Sequence, residues 1–424
     1  VSLIPKAMHN VNRKHVSPAA IRVVERLRAA NYEGYIVGGA VRDLILGGKP
    51  KDFDVATNAT PEEIKGLFRS ARIIGRRFQI VHVRDGREII EVTTYRGPHL
   101  SEEPVKSASK KSDKGLLLRD NVYGTLAEDA ARRDLTINAM YYNPIDESVL
   151  DQMEGNQDIS ARLVRILGDP QTRYREDPVR MLRVVRFAAK LQFDIESETE
   201  AAIGHCGPLL AEIPPARLFD EFLKLFMAGH GRPTLLLLLR YKLLDSLCTD
   251  AAFLIEKEPR FKNLVTQAMG NTDQRVKDGR HVTPAFLLAA LLWPVVQTRA
   301  DNLVRGGEAA AQAIHSAGQQ VIAETCQKMA IPKRFSYPVR EIWELQPRLE
   351  RQQPKRVKDL IADRRFRAAY DLLLLREESS EALGNAGKFW EQQQLEYPEL
   401  VGSAPPRAED KPPRRRRPRR KKED

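Results

Sequence analysis

Cysteine is scarce: the 424-residue chain holds three, Cys206, Cys248 and Cys326, far apart and without Cys-x-x-Cys spacing. That excludes a disulfide framework and a thiolate zinc site, and predicts core thiols in a reducing, cytoplasmic setting. The eight histidines are scattered too, so no histidine-based metal site is visible. Long apolar runs are missing. The longest, Leu235 to Leu239 and Ala285 to Trp293, fall well short of the ~20 residues that span a bilayer, and no basic-then-apolar leader opens the chain. No membrane span is expected. Negative charge is in deficit: 57 acidic residues against 69 basic ones leave a net +12, which favours a polyanionic partner, nucleic acid before membrane. What is present, 42% hydrophobic and 30% charged residues, describes a soluble protein long enough for about three domains of roughly 150 residues and a sizeable core.

The densest chemistry lies between Tyr35 and Val55. Tyr35-Ile36-Val37 reads as a short strand, Gly38-Gly39 as a turn, Val41-Arg42-Asp43 as part of one or two helical turns, and Asp52-Phe53-Asp54 as a second strand. Alternate strand residues share a face, so Asp52 and Asp54 point one way and Phe53 the other. Two carboxylates facing together repel unless a divalent cation lies between them, and oxygen ligands of this kind suit Mg²⁺, which keeps waters and takes phosphate oxygens. Gly38 and Gly39 lack a Cβ, so backbone N–H groups can approach an anion at the start of the following helix. Phosphate and metal would therefore meet in one place.

The spacing fits neither the phosphate loop G-x-x-x-x-G-K-[ST] nor the dinucleotide G-x-G-x-x-G. Gly38, Gly39, Val41, Arg42, Asp43, Asp52 and Asp54 instead resemble the class II branch of the nucleotidyltransferases, which contains bacterial poly(A) polymerases and CCA-adding tRNA nucleotidyltransferases. The resemblance implies an α+β fold, a polymerase-β-like palm followed by an all-helical C-terminal region. It also implies Asp52 and Asp54 as catalytic and metal-binding, with a third carboxylate on a neighbouring strand.

Around that motif, a helix is expected from about Ser17, a plausible N-cap before Pro18, to Ala30. Thr60-Pro61-Glu62-Glu63 fits a capping box opening a helix to about Phe68. Gln79 to Val83 and Glu88 to Thr94 alternate as strands joined across Arg84-Asp85-Gly86-Arg87. On the second of these, Glu91 is in phase with Ile89 and Thr93 and is the geometric candidate for the third carboxylate; an exposed strand glutamate is the alternative. Residues 98–115, rich in Ser, Lys and Glu, read as a mobile flap. The amphipathic segment Glu128 to Ala139 resembles the class II motif R-R-D-x-[ST]-x-N. By that resemblance Arg133 contacts triphosphate, and Asp134 and Asn138 the ribose or the metal site, which leaves Glu91 or Asp134 as the third catalytic carboxylate.

Asp177-Pro178 is a strong helix start with Arg180 one turn on. Glu176, Asp177 and Arg180 match the class II motif E-D-x-x-R, which reads the incoming base, and Arg183 follows one turn on. A carboxylate accepts from an exocyclic amine and a guanidinium donates to a ring nitrogen, so Asp177 and Arg180 suit adenine or cytosine. The nucleotide-binding set implied is Gly38, Gly39, Arg42, Arg133, Asn138, Glu176, Asp177, Arg180 and Arg183. From about residue 195 the chain reads helical, as in Ala216 to Ala228, Ala285 to Leu292 and Phe366 to Leu375. At Ala404 proline and arginine take over, and Lys411 to Lys422 holds nine basic residues among twelve. Arg414, Arg415, Arg416, Arg417, Arg419, Arg420, Lys421 and Lys422 are expected to run along an RNA backbone.

The domain reading is a flexible segment 1–16, a palm 17–150 with its mobile loop 98–115, a base-reading and RNA-binding neck 151–230, a helical body 231–400 and a disordered basic tail 401–424. Ile73 to Val83, with Gly75-Arg76-Arg77-Phe78 and His82, is similar to the poly(A) polymerase pattern G-R-R-F-x-[LIV]-x-H-V, where CCA-adding enzymes more often have G-x-x-F-G-T. The expectation is a template-independent enzyme using Mg²⁺ and ATP on RNA 3′ ends, with RNA-decay proteins as further partners. A CCA-adding enzyme is the alternative, and a non-catalytic RNA-binding adaptor the reading from another class.

Overall fold

The computed structural model describes residues 2–75, 79–97, 109–111, 117–120 and 122–401. It divides into two compact units, Val1–Ile213 with Arg240–Ser246, and Pro214–Leu239 with the chain from Leu247 onward.

The first unit is built on strands β1 (Ser2–Ile4), β2 (Tyr35–Val37), β3 (Asp54–Thr57), β4 (Ala71–Ile74), β5 (Ile80–Asp85) and β6 (Glu88–Thr94). A small ribbon, β7 (Ser109–Lys111) with β8 (Leu117–Asp120), is separate, and β9 (Met140–Asn143) and β10 (Ser148–Asp151) complete the main sheet. Its order is β1-β10-β9-β2-β3-β6-β5-β4. Every pairing is antiparallel except β3 with β6, which is parallel in the register Asp54 to Glu91.

Local sequence accounts for most of these elements. Helix α1 (Pro18–Ala29) starts where expected: Ser17 accepts from the N–H groups of Ala19 and Ala20, and Pro18 occupies the first helical turn. It buries Ala19, Ala20, Val23, Val24 and Leu27 and packs against β2, β3 and β6. Helix α2 (Gly39–Ile45) follows the glycine turn, and α3 (Pro61–Leu67) carries the expected capping box between Thr60 and Glu63. Strands β5 and β6 form a hairpin whose turn is Gly86-Arg87, with Gly86 at φ +60°.

Three segments depart from expectation. Residues 2–4, placed in a flexible segment, form the edge strand β1 because β10 offers a free ladder to pair with; His9 Nε2 adds a 2.7 Å hydrogen bond to the Glu147 carbonyl. Within the expected flap, Ser109–Lys111 pairs with Leu117–Asp120, and the rest of 98–115 lies outside the described residues. The segment from Glu128 to Ala139 is not one helix. Helix α4 (Leu126–Ala131) stops at Arg132, because Leu135 bridges to Ile166, Leu167 N–H donates to the Asp134 carbonyl, and Thr136 N–H donates to Arg165. A short 3₁₀ turn, Thr136–Asn138, then leads into β9.

Beyond the sheet, α5 (Gly155–Ala161), α6 (Pro170–Glu176) and α7 (Val179–Leu191) carry the remaining site residues. Among its described residues the second unit is helical. Its helices include Pro215–Phe226, Pro284–Arg305, Ala310–Lys328, Lys333–Glu350 and Phe366–Glu378. Arg376 is buried there, ion-paired to Glu381, bonded to Gln346 and stacked on Trp293, so its desolvation is offset by partners on every side. No helix of the described residues is long and apolar enough to cross a membrane.

Candidate active site

Registered pairing lines up one face of the sheet. Tyr141 on β9 is opposite Val37 on β2, Val37 is opposite Asp54 on β3, Asp54 is beside Glu91 on β6, and Glu91 is opposite His82 on β5. Directly opposed residues project the same way, so these five side chains form a row across the sheet. On the other face Val55, Val81 and Val92 are sealed in the core. Asp52 lies two residues before Asp54, ahead of the strand. Although the Asp54 side chain reaches solvent, its carboxyl is pushed up to about 6. Burial of its inner surroundings is the main cause, Glu91 and Asp52 add repulsion, and Arg133 opposes them. An acid so disfavoured as an anion is one that a cation would stabilise. Among the described residues no three His, Cys, Asp or Glu side chains are gathered closely enough to hold a metal ion.

The glycine turn faces Arg133. Gly38 has φ +73° and ψ −136°, backbone that L side chains rarely adopt, and a Cβ placed there would stand 3.5 Å from Arg133 Nη1. Arg133 donates to Asp129 Oδ2 at 3.0 Å and to the Tyr141 hydroxyl at 3.0 Å, and its guanidinium lies over the Tyr141 ring. Burial alone would weaken its charge, but Tyr141 and Asp129 more than restore it. The glycine turn, the Arg133 guanidinium and Asp54 therefore lie close to one another.

Arg42 departs from the phosphate-binding role expected of it. It is 2% exposed, donating from Nη1 to Asn138 Oδ1 at 2.6 Å and from Nε and Nη2 to Asp43 Oδ1. Asn138 in turn donates to Asp134 Oδ1 at 3.1 Å, and Arg183 donates to Asp134 Oδ2 at 2.7 Å. Asp134 also accepts from the Leu135 N–H, so both its oxygens are engaged. Burial would raise its pKa, yet the Arg183 charge and these hydrogen bonds hold it at about 2. The result is a continuous chain from α2 through the 3₁₀ turn to α7, a brace under the turn and the row.

At the start of α7, Arg180 is held by Glu176. Asp177 ends α6 and Pro178 precedes the first turn of α7, so Arg180 Nη1 bonds Glu176 Oε2 at 2.9 Å and the Arg173 carbonyl at 2.9 Å. Proline at the junction keeps the two helices from running on, and this brings residue 176 rather than 177 under Arg180.

Sequence reading missed Arg96, Arg132 and Arg173. The pKa values of Arg132 and Arg173 are both lowered to about 10, by burial first and then by neighbouring guanidiniums: Arg96, Arg173 and Arg180 act on Arg132, and Arg180 on Arg173. Arg173 Nη2 donates to the carbonyls of both Arg132 and Arg133 at 2.6 Å. Like charges packed this closely favour a polyanion among them. Arg132 opens the recognised motif without having been given a role, but Arg96 and Arg173 come from elsewhere in the chain and only folding brings them in. Arg76, Arg77 and Phe78, and the basic residues from Lys411 to Lys422, lie outside the described residues.

Comparison with known proteins identifies the family. Residues 34–165 match the family described as the poly A polymerase head domain, 192–253 the probable RNA and SrmB-binding site of polymerase A, and 306–423 the polymerase A arginine-rich C-terminus. Poly(A) polymerase I of Salmonella typhimurium is 45% identical, with 99% of this chain and 93% of that protein covered. A CCA-adding enzyme of Lactobacillus gasseri is 38% identical over 52% of this chain and 53% of that enzyme. The crystal structure of Bacillus stearothermophilus CCA-adding enzyme in complex with CTP shares the fold, with a TM-score of 0.62 at 23% identity over 91% of this chain and 85% of that one. The chain belongs to the poly(A) polymerase family, whose nucleotidyltransferase head it carries on the eight-stranded sheet.

Proposed function

We propose that this enzyme adds AMP from ATP to RNA 3′ ends without a template, releasing pyrophosphate, and acts in cytoplasmic RNA polyadenylation and decay. The observation that carries the reading is the row itself: Asp54 in register with Glu91, Asp52 close by, and the Gly38 turn with Arg133 alongside. The residues fit Mg²⁺, since Asp54 is disfavoured as an anion by burial, Glu91 and Asp52, and Mg²⁺ binds through one or two carboxylates plus water and phosphate oxygens. Held by Asp52 and Asp54, it would lower the pKa of the RNA 3′-OH and neutralise charge on the triphosphate.

The chain's own groups do the positioning. Gly38 and Gly39 leave room for phosphate oxygens against backbone N–H groups. Arg133, fixed by Asp129 and Tyr141, faces the triphosphate, and Arg132 with Arg173 neutralises charge on the pyrophosphate side. Asp177 and Arg180 meet the Watson–Crick edge of the base, with Glu176 bracing Arg180. Glu91 is the better third carboxylate, because the oxygens of Asp134 are already engaged by Arg183, Asn138 and Leu135. Arg42, Asn138 and Arg183 act on the nucleotide through the brace, not by contact. The match of residues 192–253 to a probable RNA and SrmB-binding site supports RNA, and a protein partner, for that segment.

Tailing is favoured over CCA addition because the relative covering 99% of the chain is a poly(A) polymerase, whereas the CCA-adding match covers 52%. The deciding experiment supplies Mg²⁺ and each NTP separately with an unstructured RNA, and, in parallel, CTP and ATP together with a tRNA lacking its 3′ end. Long tails with ATP alone are expected; addition of two cytidines and one adenosine to tRNA, and then arrest, would replace this reading with the other.

A further inference from the structure

His82 has no role in the chemistry described so far, yet it stands in the row that holds the carboxylates, between Glu91 on β6 and Arg72 on β4. Its Cα is in register with that of Glu91 on the side away from Asp54, and its Nε2 is 3.2 Å from Glu91 Oε1. Glu91 is thus flanked by a like charge on one strand and a hydrogen-bond donor on the other. An exposed glutamate has three rotatable bonds, and repulsion from Asp54 would turn it outward into solvent. At 30% and 48% side-chain exposure the pair adds little to stability, so its value lies in where it leaves the carboxylate.

We propose that His82 is a positioning residue, holding Glu91 in line with Asp54 so that its carboxylate can serve as the third acidic group of nucleotidyl transfer. This rests on the proposed function, and specifically on Glu91 in that role. The N–H at Nε2 does the work. Glutamine, whose side-chain amide also donates, should replace it, and alanine should not. Groups that orient ligands of a metal typically carry about 10- to 100-fold in metal affinity or activity.

The test uses the full chain with His82→Ala, His82→Gln, Glu91→Gln and the double variant His82→Ala/Glu91→Gln. Mn²⁺ binding is measured without nucleotide by electron paramagnetic resonance, and kcat and KM for ATP are measured separately. His82→Ala is expected to lower kcat and weaken Mn²⁺ binding by about tenfold or more, with KM for ATP and the melting temperature little changed. His82→Gln should recover most of both losses. The double variant should be no worse than Glu91→Gln, since His82 acts only through Glu91. Wild-type Mn²⁺ binding and kcat in His82→Ala, or a further loss in the double variant, would overturn the proposal while leaving the aspartate site standing. Full activity of Glu91→Gln would remove Glu91 as the third carboxylate and the proposal with it.

Discussion

Arg42 and Asn138 are joined by a 2.6 Å hydrogen bond between two buried side chains 96 residues apart in the chain. That bond ties the helix after the glycine turn to the 3₁₀ turn before β9. Arg42→Ala should leave the buried Asn138 Oδ1 without its donor and Asp43 with Lys190 alone, and cost about 1–3 kcal/mol, as expected when a buried polar group loses its partner. Urea denaturation of the two proteins checks this; an unchanged midpoint would show that the brace carries no stability.

Asp54→Asn and Asp52→Asn should behave oppositely. Each removes one charge from a cluster that destabilises Asp54 as an anion, so the melting temperature should stay equal or rise. Tailing should fall by about a thousandfold, since loss of a metal-held charge removes several kcal/mol of transition-state stabilisation. Mg²⁺-dependent tailing near wild type in either variant would remove both aspartates from the metal site.

Asp134 predicts a pH dependence. Its folded pKa of about 2 lies below the ordinary 3.8, so its contribution to stability is present above about pH 4 and is lost as pH falls toward 2. A shift of this size corresponds to about 2 kcal/mol. Asp134→Asn should therefore be less stable than wild type at pH 7, with the gap closing between pH 4 and 2. Denaturation midpoints across that range decide it, and a gap that persists at pH 2 would mean the loss is not electrostatic.

Base selection should depend on Glu176 as well as Arg180. Arg180→Ala is expected to weaken discrimination against GTP and UTP by about 10- to 100-fold, the worth of one hydrogen bond to a charged group, while RNA affinity stays near normal. Glu176→Gln, which loosens the 2.9 Å brace on Arg180, should produce a smaller change in the same direction. Unchanged NTP selectivity in both would place base reading elsewhere.

The tail should show itself in salt dependence. Nine basic residues between Lys411 and Lys422, at about −0.7 per phosphate contact on single strands, set a limit of roughly −6. With a third to two thirds of them engaged, deletion of residues 404–424 should flatten the plot of log affinity against log salt by about two to four. Turnover on saturating RNA should not change. Equal slopes would assign the arginine run to a protein partner or to solubility.

What could be read beforehand was local. Period-two alternation placed Asp54 and Glu91 on strands, Ser17 and Thr60 marked helix starts by their own chemistry, and the two glycines announced a turn. What escaped depended on distant partners. Arg42 is a recognisable motif residue, but nothing near it signals burial against Asn138. The break at Arg132 comes from pairing with residues 165–167, and β1 exists only because β10 leaves an edge to fill. Arg180 pairs with Glu176 and not Asp177 because the Pro178 junction is sharper than a simple capped start suggests.

The position of Asp54 also sets an order of opening. Strand β3 is bordered by β2 on one side and β6 on the other, three strands in from the β4 edge and four from the β1 edge. Amides of an edge strand exchange with solvent by local fraying, whereas those of a strand paired on both sides wait for a larger opening. In deuterated water the amides of β1 should therefore exchange early, and those of Val55 and Ala56 only when the whole sheet gives way. The carboxylate proposed to hold the metal thus stands on the last part of the head to loosen.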